Sequence, residues 1–186
     1  MNWIDTPLLV YAAIPGHPGR ATVEDDLRHG AWGSSVLVLA ELYQVLTRDY
    51  AVSSEGAAEV AERLARSPLH WAALDVTQVV AAAAERHRHR LQSADAVLLC
   101  LAREDRGTLV SQDRRLLRAA EAQGVAVRNP IAADLAAALA RWEEGHLLPK
   151  GLVRVLGGVE RWLRPQDPSV AERFLDATAH LTSLPA

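Results

Sequence analysis

The period of the apolar positions changes repeatedly along this chain, and each change predicts an element. A short apolar start, Trp3 and Ile4, ends on the carboxylate of Asp5. Thr6-Pro7 then opens a helix over 8–13, because proline is well placed in a first helical turn. The breakers of 15–19 form a loop, and a charged helix over 21–28 closes near Gly30. Ser34-Ser35 leads into an apolar helix that runs to about Arg48. Ser54 reads as the cap of a helix over 55–66, stopped by Pro68. Residues 70–76 read as a strand, and Thr77 as the cap of the alanine-rich helix that follows. Ser93 reads as the cap of a helix over 94–103, ended by Gly107. A strand over 108–111, a helix over 114–122 and a strand over 125–127 complete the alternation.

Short strands alternating with helices predict an α/β domain over 1–130 with a mainly parallel sheet. Beyond Pro130 the alternation stops. Residues 131–145 read as a helix, 147–158 as breakers around a short apolar piece, and 169–181 as a last helix. Residues 131–186 are therefore expected to be a helical C-terminal extension.

Composition narrows this picture only slightly. With 186 residues the chain suits one well-buried domain. A formal net charge of −3 makes it no polycation, so any affinity for nucleic acid must come from local basic patches or bound cations. The single cysteine, Cys100, lies in the apolar run 97–101 and reads as core filler. There is no signal core and no apolar run of membrane-spanning length, so no membrane is expected and a cytoplasmic location is.

The carboxylates change the picture most. Ligands of open α/β sheets gather at the carboxyl ends of strands, and Asp5 and Asp113 both follow predicted strands. Glu41 has Leu37, Val38, Gln44 and Val45 as its neighbours three and four positions away, and so projects from a mostly apolar helix face. Asp95, among Leu91, Gln92, Leu98 and Leu99, does the same. An ionised carboxylate on an apolar face is costly unless something pairs with it, and neither helix face supplies an Arg or Lys. A hard divalent cation would compensate all four acids, keep waters, and suit hydrolysis of a phosphodiester in nucleic acid. Each acid also has a plainer reading. Asp5 and Asp113 could cap the helices after them, Glu41 could pair with a distant Arg, and Asp95 could be a first-turn residue favoured by the helix dipole. On spacing alone the two readings are even.

The motifs Trp3-Ile4-Asp5-Thr6, Leu39-Ala40-Glu41-Leu42, Ser93-Ala94-Asp95-Ala96-Val97-Leu98 and Leu109-Val110-Ser111-Gln112-Asp113 come in an order that resembles the PIN-domain nucleases, particularly VapC-like toxins of bacterial toxin–antitoxin systems. The resemblance covers about 1–130. It implies a three-layer α/β/α sandwich, dependence on Mg²⁺ or Mn²⁺, endonucleolytic cleavage of RNA to a 5′-phosphate and a 3′-hydroxyl, frequent homodimers, and inhibition by a small antitoxin. It makes Asp5, Glu41, Asp95 and Asp113 the catalytic acids, with Asp5, Asp95 and Asp113 as metal ligands and Glu41 aligning the water. Ser111 and Thr6 would support the site by hydrogen bonding. The chain departs from the family pattern in having Pro7 where many members have Asn, and in its long extension.

The run Arg86-His87-Arg88-His89-Arg90 precedes the third acid. Arg88, Arg90 and Arg114 are candidate RNA contacts, whereas Arg86 and His87 read as a solvated helix end suited to the dipole. Two other readings stand beside the toxin: a housekeeping RNA- or DNA-processing nuclease without an antitoxin, and a non-catalytic module of the same fold that binds RNA or a protein.

Overall fold

The computed structural model describes residues 1–148 and 151–182. The elements run β1 (Asn2–Ile4), α1 (Thr6–Ala13), α2 (Arg20–Leu27), β2 (Trp32–Ser35), α3 (Val36–Arg48), α4 (Ser54–Ala65), β3 (His70–Ala72), α5 (Val76–His89), α6 (Ser93–Glu104), β4 (Thr108–Val110), α7 (Arg114–Glu121), β5 (Ala126–Arg128), α8 (Ala133–His146), α9 (Leu152–Leu163) and α10 (Pro168–Thr182). The five strands are all parallel, in the order β3-β2-β1-β4-β5. The α/β fold with a parallel sheet and added C-terminal helices is the one expected.

This strand order fixes where a site can form. From β1 the chain moves outward to β2 and β3, then returns to place β4 on the other side of β1. Loops leaving β1 and β4 therefore diverge, and a crevice opens at their carboxyl ends. Asp5 leaves β1 there, and Ser111 to Asp113 leave β4. The helix α6, buried along Ala96–Ala102 against β1, β2 and β4, carries the densest part of the core. Cys100 is part of that core.

Three sequence expectations need correction. Residues 34 and 35 are not only a lead-in to α3 but the end of β2, which is buried along its whole length. Trp32 is its only apolar side chain, so hydropathy could not reveal it. Burial is tolerated because the Ser34 hydroxyl donates to the Ile4 carbonyl at 2.8 Å. Residues 147–158 hold more than a short apolar piece, since α9 starts at Leu152. Of its two internal glycines, Gly158 is buried, and a Cβ there would stand 2.5 Å from Arg48 Cγ. Close packing on α3 thus outweighs the poor helix propensity of glycine. The caps also shift: Ser53 rather than Ser54 caps α4, Gln92 rather than Ser93 occupies the N-cap position of α6, and Asp75 with Gln78 forms a capping box on α5 in place of Thr77.

The extension packs on the domain at two places. Trp142 of α8 stacks on His146, meets the ring of His17 edge-on at 4.6 Å, and lies over Tyr50. On α9, Arg161 donates to the Arg48 carbonyl. Trp162, by contrast, is 64% exposed.

Candidate active site

Asp5 occupies the N-cap position of α1, yet its side chain makes no capping bond. Pro7 contributes to this by removing one of the two N–H groups that a cap side chain would reach. The Asp5 carboxylate is only 1% exposed and accepts instead from the Ser111 hydroxyl, itself fully buried. Ser111 Oγ also accepts the Asp113 N–H at 2.9 Å. One hydroxyl thus ties the ends of β1 and β4 together.

Asp113 does cap its helix, with Oδ1 accepting from the N–H groups of Arg115 at 2.7 Å and Leu116 at 3.2 Å. Its Oδ2 lies 4.0 Å from the Arg115 guanidinium. Asp95 stands in the first turn of α6, where its Oδ2 accepts the Gln92 N–H at 3.2 Å. Because α6 crosses back beneath the sheet, its N-terminus lies at the same edge as the strand ends. Glu41 accepts from the Thr6 hydroxyl, and among the described residues no Arg or Lys forms an ion pair with it. The plainer readings therefore hold for one oxygen of Asp113 and of Asp95, and fail for Asp5 and Glu41.

All four acids line one cleft of about 250 Å³. Burial raises the Asp5 carboxyl well above the ordinary carboxylate range; the Ser111 hydrogen bond opposes this, and the charges of Asp95, Glu41 and Asp113 add to it. Burial likewise raises Asp95 to about 6, against the Gln92 N–H and Arg115 and together with Glu41 and Asp113. These acids are thus desolvated and mutually repelling. As oriented, no three Asp, Glu, His or Cys side chains among the described residues converge closely enough to hold a metal ion. The donor set is nevertheless all carboxylate oxygen, which suits Mg²⁺ or Mn²⁺ rather than a soft ion.

The PIN domain family model matches residues 3–122, well over half the chain. The chain belongs to the PIN domain family. Among solved structures, that of FitAB bound to an IR36 DNA fragment is similar, with 18% identity, a TM-score of 0.50, and coverage of 70% of this chain and 95% of the other. At that identity the likeness speaks for the fold. No curated protein sequence is significantly similar.

Around its four acids this PIN domain places residues that the sequence did not single out. Asp49 lines the cleft, nearly buried, and pairs with Arg48 at 2.7 Å. Its spacing from Glu41 and Val45, which also line the cleft, was a usable signal, because positions four apart share a helix face. Gln112 donates to the Tyr11 hydroxyl at the cleft wall. Glu143, Leu147 and Arg154 come from beyond the matched segment, so no pattern within the PIN domain could have found them. Arg154 donates to the Leu148 carbonyl through Nε at 2.8 Å and Nη2 at 2.6 Å. Among the candidate RNA contacts, Arg88 is turned towards Glu85 at 3.4 Å, Arg114 is exposed beside Asp113, and Arg90 lines a second pocket.

Proposed function

We propose that this PIN domain is an Mg²⁺- or Mn²⁺-dependent endoribonuclease, and that it is the toxin of a toxin–antitoxin pair restrained by a small antitoxin protein. PIN domains are typically nucleases, and the resemblance of the four acid motifs to VapC-like toxins points to RNA. The observation that carries the reading is the state of Asp5. It is a buried carboxylate that forgoes its own helix cap and sits in the field of three further acids. Such an arrangement costs stability unless a cation joins it.

In this reading Asp5, Asp95 and Asp113 hold the ion, directly or through water, with Ser111 orienting Asp5 and Thr6 orienting Glu41. The ion would supply charge neutralisation at the phosphate and a lowered pKa for the attacking water. Glu41, not tied up in an ion pair, aligns that water for in-line attack, and no covalent link between enzyme and substrate is required. The chain is expected to act in the cytoplasm as a homodimer. No helix among the described residues is long and apolar enough to cross a membrane.

The test is incubation of purified protein with cellular RNA in Mg²⁺, in Mn²⁺ and in EDTA, alongside Asp5→Asn and Glu41→Gln. Metal-dependent cuts at discrete sites, lost in both variants, are expected. Folded protein that cuts nothing under any of these conditions would overturn the enzyme in favour of a binding module. Growth arrest on expression, relieved by a small protein encoded next to the gene, is the expected sign of the toxin. Cleavage without arrest would leave a housekeeping nuclease.

A further inference from the structure

The run Arg86-His87-Arg88-His89-Arg90 is split by its helix into two faces with different fates. Arg88 and His89 turn towards Glu85, which also accepts from Arg103 at 3.1 Å and from Gln123 at 2.9 Å. That face is a neutralised structural network around a buried carboxylate. Arg86, His87 and Arg90 turn the other way. Together with Arg115 they line an open pocket of about 340 Å³. Arg86 and Arg90 form no ion pair among the described residues, and Arg115 meets only Asp113, at 4.0 Å.

Two further features tie this pocket to the acids. Gln92 lines both it and the acid cleft, and the same residue offers its N–H to Asp95. Arg115 follows Asp113 by two positions, and its charge is felt at Asp95. The backbone adds a third feature. Arg90 ends α5 in the left-handed region, at φ 54°. Glycine occupies that conformation without penalty, whereas a residue with a Cβ is disfavoured there. The side chain at the turn is nevertheless a cation, and it lines the pocket.

Three guanidinium groups, two of them without an ion-pair partner among the described residues and the third only loosely paired with Asp113, lie one residue away from a cleft of acids and fit one ligand chemistry. Resting on the nuclease reading, we propose that Arg86, Arg90 and Arg115, with His87, form a phosphate-binding pocket that grips the RNA backbone next to the bond the acids cut. Arg forks match phosphate oxygens in paired hydrogen bonds. A strand held there would be drawn towards the acids, although the cleft itself repels it. The pocket reads backbone rather than base, so it contributes affinity and register for any RNA sequence.

The experiment measures binding without cleavage. The full chain carrying Asp5→Asn is titrated against a short fluorescein-labelled single-stranded RNA, by anisotropy, over a series of KCl concentrations. To this background are added Arg86→Gln with Arg90→Gln, Arg115→Gln alone, and Arg63→Gln as an exposed charge on another helix. Each pocket change is expected to raise Kd several-fold and to flatten log Kd against log [KCl] by about 0.7 for every phosphate no longer neutralised, whereas Arg63→Gln does neither. All these side chains are exposed, so unchanged circular dichroism is expected throughout. Unchanged Kd and slope in the pocket variants would overturn the pocket, as would an equal loss in Arg63→Gln, and RNA cleavage by the otherwise wild-type chain would then leave the nuclease reading standing. An Asp5→Asn protein that binds no RNA, from a wild type that cuts none, would overturn both.

Discussion

Replacing Asp95 by Asn separates a catalytic acid from a helix-start residue, because the two roles predict opposite changes in stability. The Asp95 carboxyl is raised from 3.8 to about 6, first by burial and then by Glu41 and Asp113. A carboxyl raised in the folded state contributes stability that is full below its unfolded value and lost as pH rises through about 6. At pH 7.5 the ionised group therefore works against the fold. At 1.36 kcal/mol per pH unit the ceiling is about 3 kcal/mol. Asp95 is only partly buried, and solvent screening reduces this to about 1–2 kcal/mol. Asparagine keeps the shape and can still accept the Gln92 N–H. In EDTA at pH 7.5, Asp95→Asn is thus expected to unfold at higher urea than wild type, by about 1–2 kcal/mol, and to melt several degrees higher. At pH 4 the advantage shrinks to about a fifth, because the wild-type carboxyl is then protonated in the fold. Cleavage is expected to vanish at either pH. If Asp95 were chiefly a partner of the helix dipole, Asn would instead cost about 0.3–1 kcal/mol. A variant no more stable than wild type at pH 7.5 in EDTA would refute the reasoning.

Three further outcomes follow from particular interactions. Ser111→Ala removes the hydroxyl donor to Asp5 and orphans the Asp113 N–H; a loss of about 1–2 kcal/mol in urea unfolding and of about 10–100-fold in metal affinity by calorimetry is expected. His17 is 4% exposed, stacked on Tyr11 at 4.2 Å, and lowered from 6.5 to about 4 by burial, against the opposing charge of Glu143. Its contribution is present above 6.5 and lost as pH falls through about 4, so wild type is expected to lose about 2 kcal/mol more than His17→Phe between pH 7 and pH 4.5, and parallel losses would refute a buried neutral ring. Gly107 lies where a Cβ would stand 2.5 Å from the Met1 carbonyl oxygen and 2.9 Å from Trp3 Cδ1. Gly107→Ala is therefore expected to lower stability by about 1–3 kcal/mol in thermal melts, and an unchanged melt would show that the β1–β4 edge yields.

Much of this protein was legible in the chain because it depends on local physics. Strand ends, helix faces and breakers are written within a few residues, so β1, β4, the helices of residues 6–128 and the four acids could be placed before any tertiary neighbour was known. Local reading reached its limit wherever partners are distant in sequence. β2 escaped because its four residues carry one apolar side chain, and only the neighbours β1 and β3 reveal that it is buried. Two glycines hid α9 until Arg48, more than a hundred positions earlier, supplied the surface that selects Gly158. Whether an acid caps its helix or faces a cleft was equally undecidable from spacing. Asp5 and Asp113 both precede helices, and only Pro7 together with the reach of Ser111 across 106 positions separates their roles. The basic run shows the same division. The pairs of Glu85 with Arg88 and His89 lie three and four positions apart and are local. Only the tertiary placement of Arg103 and Gln123 on Glu85, and of Arg115 beside Arg86 and Arg90, decided which face is a closed network and which is left to meet an anion. Charge and periodicity are properties of the chain, whereas burial and pairing exist only once distant segments meet.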